Sequence, residues 1–379
     1  MVVLQKYTGM QGERRHMDKN EIVILHGTDY QQMAYRLMRE IDLQGDIGAR
    51  SLRIGIKPNL VLDAPASDGA TTHPELVAGV IEYLRQEGFE NLIVLEGSWV
   101  GAKTSAAYVT SGLRDVCERY GVPFVDLQRD SAHGYHAFDM DIRVCDQAMA
   151  LDYLINMPVL KGHCQTGITC ALKNAKGLIP NSEKRRFHSM GLHRPIANLN
   201  TLLPRGLVLV DNICGDLDFE EGGNPVTMNR IFCCKDPVLC DSFVCQSMGY
   251  RVDEVEYIGL AERMGVGCAD LSRAKITALN ESSAAPQQST RQIRRLASYA
   301  APDSACSACY GSLIYALHKL EQEYGPLELP QKIAIGQGYQ GKTGETGVGR
   351  CTCNFRHTVS GCPPTAADIC DFLRSEVLR

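Results

Sequence analysis

Five cysteines in the last quarter of the chain have the types and spacing of a redox centre: Cys306-Ser-Ala-Cys309, then Gly349-Arg350-Cys351 with Cys353 close behind, then Gly361-Cys362-Pro363-Pro364. A Cys-x-x-Cys pair opening a helix, with a distant cysteine followed directly by proline, is a usual way for a polypeptide to enclose an iron–sulfur cluster. Such a cluster needs four soft thiolates converging on one space, with backbone N–H groups near the sulfides. Cys306 and Cys309 fall at the start of an expected helix, where free amides and the dipole favour thiolate. Pro363 and Pro364 stiffen the exit and suit the tolerant first turn of a final helix. Cys306, Cys309, Cys351 and Cys362 are therefore expected to hold one [4Fe-4S] cluster, with Cys353 as the alternative to Cys351. A structural zinc site would use the same pair and two distant thiols, but zinc ribbons usually supply a second tight pair. Cys117, Cys145, Cys170, Cys214, Cys233, Cys234, Cys240, Cys245, Cys268 and Cys370 read as small core residues.

A second constellation is basic. Lys57-Pro58-Asn59 closes one strand-like run, and Thr71-Thr72-His73-Pro74 precedes a helical pattern that Thr71 or Thr72 is expected to cap. Glu96-Gly97-Ser98-Trp99 closes another run and has the form of an anion cradle. Asn156, Lys161, His163, Thr169, Lys173, Asn174, Lys176, Lys184, Arg185, Arg186, His188 and Arg194 then crowd into about forty residues, a local positive patch suited to carboxylate or phosphate. The expectation is that Lys173, His163 and Lys57 are the catalytic candidates, and that Asn59, Lys161, Asn174, Glu96 and Ser98 contact a small anionic ligand or substrate. Lys184 to Arg186 read as a solvated basic loop. Asp211, Asp216, Asp218, Glu220 and Glu221 read as a solvated turn, a magnesium or hydroxyl role for Asp211 being the weaker option.

One motif is rejected on context. Gly336-Gln-Gly-Tyr-Gln-Gly341-Lys342-Thr343 matches the phosphate-binding pattern G-x-x-x-x-G-K-[ST], yet such a loop must deliver its Lys and Thr into a helix. Here Gly344, Gly347 and Gly349 follow, and the chain runs straight into the cysteines.

The elements that must position these groups alternate. EIVILHG, RIGIKPN, NLIVLEG, PFVDL, LDYLINMPVL, GLVLVDNIC and RIFCC are strand-length apolar runs separated by helical patterns over 29–41, 73–86, 105–120, 237–248 and 255–264. This alternation predicts an α/β fold: a large domain with a mostly parallel sheet flanked by helices, plus a small C-terminal α/β cysteine module. Function in such sheets sits at strand C-termini. The boundaries expected are a ligand-binding domain over 17–280, a linker over 281–300 and an iron–sulfur module over 301–379. The first sixteen residues are polar and patternless and stand outside this argument.

The 379 residues carry a net charge of −5, which gives no global attraction for nucleic acid. Sixteen cysteines accompany no apolar run of membrane-spanning length and no signal-peptide pattern, so a cytoplasmic location without membrane insertion is expected.

IKPNLV, TTHPELVAGVIEYL, VLEGS, NMPVLKGH, ALKNAKGLIP with the later His188, and CKDPVLCD together resemble the bacterial and archaeal domain-of-unknown-function family 362, from about Ile54 to Met264. Several members of that family carry ferredoxin-like or other cysteine modules, and the resemblance implies architecture more than reaction. HTVSGCPPTAADICDFL is also similar to the proximal-cluster region of hydrogenase and quinone-reductase small subunits. The close-packed run of a two-cluster ferredoxin is missing, so one cluster is expected. The function expected is an iron–sulfur redox protein that binds a small anion and exchanges electrons with a partner protein or the bound molecule. The alternatives are non-redox proton abstraction at the Lys/His site, with the cluster as clasp or Lewis acid, or a scaffold without turnover.

Overall fold

The computed structural model describes residues 4–6, 15–217, 219–222, 225–281, 292–305 and 307–378. Runs rich in Ile, Val and Leu form strands buried on both faces, because helices cover a parallel sheet from either side. Nine strands lie in the order Leu4–Lys6, Lys275–Ala278, Glu21–His26, Pro225–Cys234, Gly206–Asp216, Tyr153–Asn156, Ile54–Lys57, Leu92–Glu96 and Phe124–Asp126. Pro225–Cys234 runs antiparallel to both of its neighbours. All other adjacent pairs are parallel. The α/β class and the mostly parallel sheet read from the alternation are thus the architecture of the chain.

Alternation along each strand divides the core in two. Ile22 and Ile24 point to one face with Leu95, Val208 and Phe232. Val23 and Leu25 point to the other, under Leu37, Leu76 and Val80 of the helices Tyr30–Glu40 and Pro74–Gln86. The single helix expected over 105–120 is two, Thr104–Thr110 and Leu113–Tyr120, because Gly112 between them takes φ +78°. Such a left-handed residue cannot continue a helix. The first strand, Leu4–Lys6, comes from the stretch set aside as patternless and pairs with Lys275–Ala278.

The C-terminal module has its own sheet of four parallel strands in chain order: Ala300–Pro302, Ile333–Ile335, Thr346–Val348 and His357–Val359. Helix Ser307–Tyr324 joins the first two, and the final helix Ala366–Glu376 packs against it through Ile369 and Leu373. Thr365 and Asp368 close that final helix with reciprocal bonds of 3.1 and 3.2 Å, satisfying amides that would otherwise lack partners. The helix Gln292–Ala297 and the start of the first strand fall inside the segment read as a linker. The phosphate-loop lookalike passes through one tight turn, Gln337–Tyr339, into the strand Thr346–Val348, with no helix to receive Lys342 and Thr343.

Phe219 of the large domain belongs to the module's core, its ring edge-on to Tyr315 at 5.3 Å. Gln165 donates to Ala305 O at 2.6 Å across the same junction. Among the described residues no helix is long and apolar enough to cross a membrane.

Candidate functional site

The strand ends of the large sheet carry a buried lysine network. Lys57 and Glu96 close adjacent parallel strands, which brings Lys57 Nζ to 2.7 Å from Glu96 Oε2 with both side chains out of solvent. Burial pushes the Lys57 ammonium below its ordinary range, against the pull of Glu96. Gly177 presses its backbone onto this pair: a Cβ there would lie 1.8 Å from Glu96 Oε1 and 2.7 Å from Lys57 Nζ. No side chain fits without dismantling the pair. Lys184 donates to Gly97 O at 2.9 Å and to Ser98 O at 2.8 Å, and burial brings it down to about 8. Lys161 uses its three N–H bonds on Asn59 Oδ1 (2.9 Å), Ala70 O (2.6 Å) and Glu220 O (3.0 Å), and burial lowers it to about 7.

Side-chain amides link these lysines. Asn59 donates to Asn174 Oδ1 at 2.7 Å, Asn174 to Asn156 Oδ1 at 2.7 Å, and Asn156 to Ala171 O at 2.9 Å. Each amide is polarised by the one before it, so the series orients Asn174 and the short helix Ala171–Asn174 that carries Lys173. Asp241 fixes the start of that helix, accepting from Ala171 N at 2.7 Å and Leu172 N at 3.2 Å.

Glu220 is the pivot. Its Oε1 pairs with Lys173 Nζ and its Oε2 lies 3.1 Å from His163 Nε2. Burial alone would raise this carboxyl; Lys173, His163 and Lys161 instead hold it well below the usual carboxylate range. His163 Nδ1 accepts from Thr166 N at 3.0 Å and Gln165 N at 3.2 Å, so its lone pair is engaged and the neutral ring carries its proton on Nε2. Burial, with Lys173 nearby, lowers His163 to about 4.

A pH dependence of stability follows. A histidine with a folded pKa near 4 and an ordinary value of 6.5 leaves the unfolded chain the better proton acceptor between the two. Its contribution is therefore complete above 6.5 and lost as the pH falls toward 4. His163 is therefore expected to contribute to a loss of stability on the acid side of this window. Urea unfolding at pH 7, 6 and 5 should show this decline, and His163→Gln should flatten it.

Two cavities open onto this network. The inner one, about 60 Å³, is lined by Asn59, Glu96, Thr169, Lys173 and Asn174, together with Lys184. Thr169 is 1 % exposed, and its Oγ1 has no hydrogen-bond partner. A buried hydroxyl in that state costs free energy unless a bound molecule completes it. The outer cavity, about 180 Å³, has Cys309, Cys351 and Cys362 on one side and Arg185 of the large domain on the other. Trp99, Val100, Lys176, His188 and Glu220 line both.

The cysteines reach the outer cavity because each follows the C-terminal end of a module strand. Cys309 lies in the first turn of the helix after Ala300–Pro302, Cys351 follows Thr346–Val348, and Cys362 follows His357–Val359. Gly349 turns the chain at φ +89°, a conformation that favours glycine, and Cys309 Sγ lies 3.8 Å from where its Cβ would stand. Cys353 is exposed, with its sulfur 3.7 Å from Asn354 Oδ1, and does not line the cavity. Cys306 lies outside the described residues. Gln340 Nε2 approaches Cys351 Sγ at 3.6 Å.

Of the other residues picked from the sequence, Asn59, Glu96, Lys173 and Asn174 line the inner cavity. Lys57, Lys161, His163 and Ser98 stand behind that lining, fully buried, and act on it through hydrogen bonds and ion pairs. The Ser98 hydroxyl donates to Leu60 O at 2.6 Å. Three expectations need correction. Lys184 is not in a solvated loop: it sits on the buried face of helix Asn181–Ser189 beside Phe187. Asp211, Asp216 and Glu220 are buried and Glu221 is half-buried, because the described part of the run read as a turn is the end of an 11-residue strand and a segment folded beneath the module; Asp218 lies outside the described residues. Asp211 pairs with His73 Nδ1 at 2.8 Å, which overcomes burial and raises His73 to about 10. Neither Thr71 nor Thr72 caps helix Pro74–Gln86. Thr72 Oγ1 accepts from Asn59 N at 2.7 Å and donates to Met157 O at 2.8 Å, tying the Lys57 strand end to its neighbour. Cys117, Cys145, Cys170, Cys214, Cys233, Cys234, Cys240, Cys245 and Cys370 are buried as expected, whereas Cys268 is only half-buried.

A family model described as "Domain of unknown function (DUF362)" matches residues 54–246. Over 140 residues the chain is 28% identical to the Thylakoid-associated protein sll1697 of Synechocystis sp., a stretch that is 36% of this chain and 42% of that protein. The chain thus matches less than half the length of that relative. The family match takes in every lysine of the network and ends before the cysteine module.

Proposed function

The chain belongs to the domain-of-unknown-function family 362, and from that premise we propose that it is an iron–sulfur redox protein. One [4Fe-4S] cluster is held by Cys306, Cys309, Cys351 and Cys362, a small anion binds in the lysine-lined inner cavity, and electrons pass between the cluster and the bound molecule or a partner protein. The observation that carries this reading is the shared wall: Lys176, His188 and Glu220 border both the thiol cavity and the inner cavity. A molecule in the second lies one side chain from whatever fills the first. The site belongs in a reducing compartment such as the cytoplasm, where thiols stay available as ligands.

A cluster takes its thiols further apart than a single ion does. Zinc–sulfur bonds of about 2.3 Å draw tetrahedral ligands close together. Among the described residues, the one set of three metal-ligating side chains whose ligand atoms all lie within 4.8 Å of one another is Cys170, Cys240 and Asp241, not the module's cysteines. When bound, the cluster supplies a one-electron couple. The chain's own groups do the rest. Lys176 and Thr169 receive the anion, Lys173 is shared between it and Glu220, and Asn174 offers an oriented amide.

Trp99, the single tryptophan, lines both cavities and reports binding directly. Titration with phosphate and with small carboxylates should change its emission, and Lys176→Met should weaken binding by about tenfold, the worth of one charge-assisted contact. Affinity should fall as the pH rises through about 8, where Lys184 loses its proton. A folded protein whose Trp99 emission responds to none of these anions contradicts the anion half of the reading.

A further inference from the structure

The thiol cavity reaches the surface at Cys362, which is exposed, and the charges around that opening are uneven. Arg185 lines the cavity from the large domain. Arg350 precedes Cys351, and its backbone N donates to Gly361 O at 2.9 Å, which fixes it beside Cys362. Lys103 follows Gly101, whose missing Cβ would stand 3.5 Å from Pro363 Cδ. All three side chains are exposed, and none has a carboxylate partner among the described residues. Among the module's acidic groups, Asp303 lies 3.5 Å from Lys342, Glu345 2.9 Å from Arg356, and Asp368 caps the final helix through Thr365. One cation thus lines the cavity and two more, exposed, follow backbone that meets Gly361 and Pro363 on either side of Cys362, in a chain whose net charge is −5.

We propose that Lys103, Arg185 and Arg350 form the docking face of a small acidic electron-carrier protein, which approaches the cluster through Cys362. The inference rests on the cluster reading above and adds the partner's chemistry and place of contact. Cationic groups on three separate elements around one redox-active opening steer an anionic protein into a single orientation, and a rim of this kind acts on association rate more than on affinity. A basic carrier meets the same rim as a barrier.

The test uses anaerobically purified, iron-loaded full-length protein in stopped-flow exchange with two probes, a reduced acidic plant-type ferredoxin mixed with the oxidised protein and an oxidised basic c-type cytochrome mixed with the dithionite-reduced protein. In the wild type the ferredoxin reaction should slow as salt is raised, and the cytochrome reaction should quicken. The charge reversal Lys103→Glu/Arg350→Glu should slow it by at least about tenfold at low salt and speed the cytochrome reaction. The neutralising pair Lys103→Ala/Arg350→Ala should fall between, and serves alone if the reversal lowers iron content. Equal iron content in wild type and variants with rates indifferent to salt and charge overturns the docking face and leaves the cluster in place. Absence of iron from the wild type overturns both.

Discussion

Replacing Glu220 with alanine is expected to cost the folded chain about 3–5 kcal/mol, the usual penalty for removing one partner of a buried charge pair. The carboxylate pairs with Lys173 and stands 3.1 Å from His163 Nε2, and both partners are buried. Without it, Lys173 keeps its place on a short helix whose start is fixed by Asp241, and the ammonium is left without its carboxylate partner. Part of the loss is recoverable: Glu220→Gln keeps the shape and one acceptor, and should cost less than the alanine change. A bound anion should stabilise Glu220→Ala more than the wild type, because it meets a lysine that no longer shares its charge. Urea unfolding with and without phosphate measures both effects. A loss below about 1 kcal/mol would mean that the pair is not buried in this way.

The second large effect concerns the thiols. Cys362→Ser should abolish cluster assembly, or leave a cluster lost on brief exposure to air, since serine offers a harder ligand than the iron favours. Cys353→Ser should leave iron content unchanged, because that sulfur points to Asn354 and away from the cavity. Cys309→Ser and Cys351→Ser should behave like Cys362→Ser. This pattern separates ligands from bystanders within one short segment, where spacing alone left Cys351 and Cys353 open.

Much of this arrangement was legible in the sequence because parallel sheets place function at strand C-termini. Lys57, Asn59 and Glu96 end apolar runs, and that position marked them. The module's cysteines were legible for a different reason, the Cys-x-x-Cys pair at a helix start and the distant cysteine followed by proline. Glu220 was hidden by its company: it lies in an acidic, glycine-rich run that local composition assigns to water. Only the insertion of Phe219 into the module's core draws that run inward. Lys184 was hidden by its charged neighbours, yet Lys184 and Phe187 are three apart, the spacing of one helix face, and that period was the available signal. The Ser98 hydroxyl shows the opposite error. Its place in a glycine loop suggested ligand contact, whereas the fold turns it back onto Leu60 O.

The most direct test is chemical analysis of the full-length protein purified without oxygen, with iron, zinc and acid-labile sulfide measured together and EPR recorded before and after dithionite. The account predicts about four irons and four sulfides per chain, an EPR signal that appears on reduction, and loss of both in Cys362→Ser but not in Cys353→Ser. Stoichiometric zinc without sulfide, or iron that survives the removal of Cys309, Cys351 and Cys362 in turn, would contradict it.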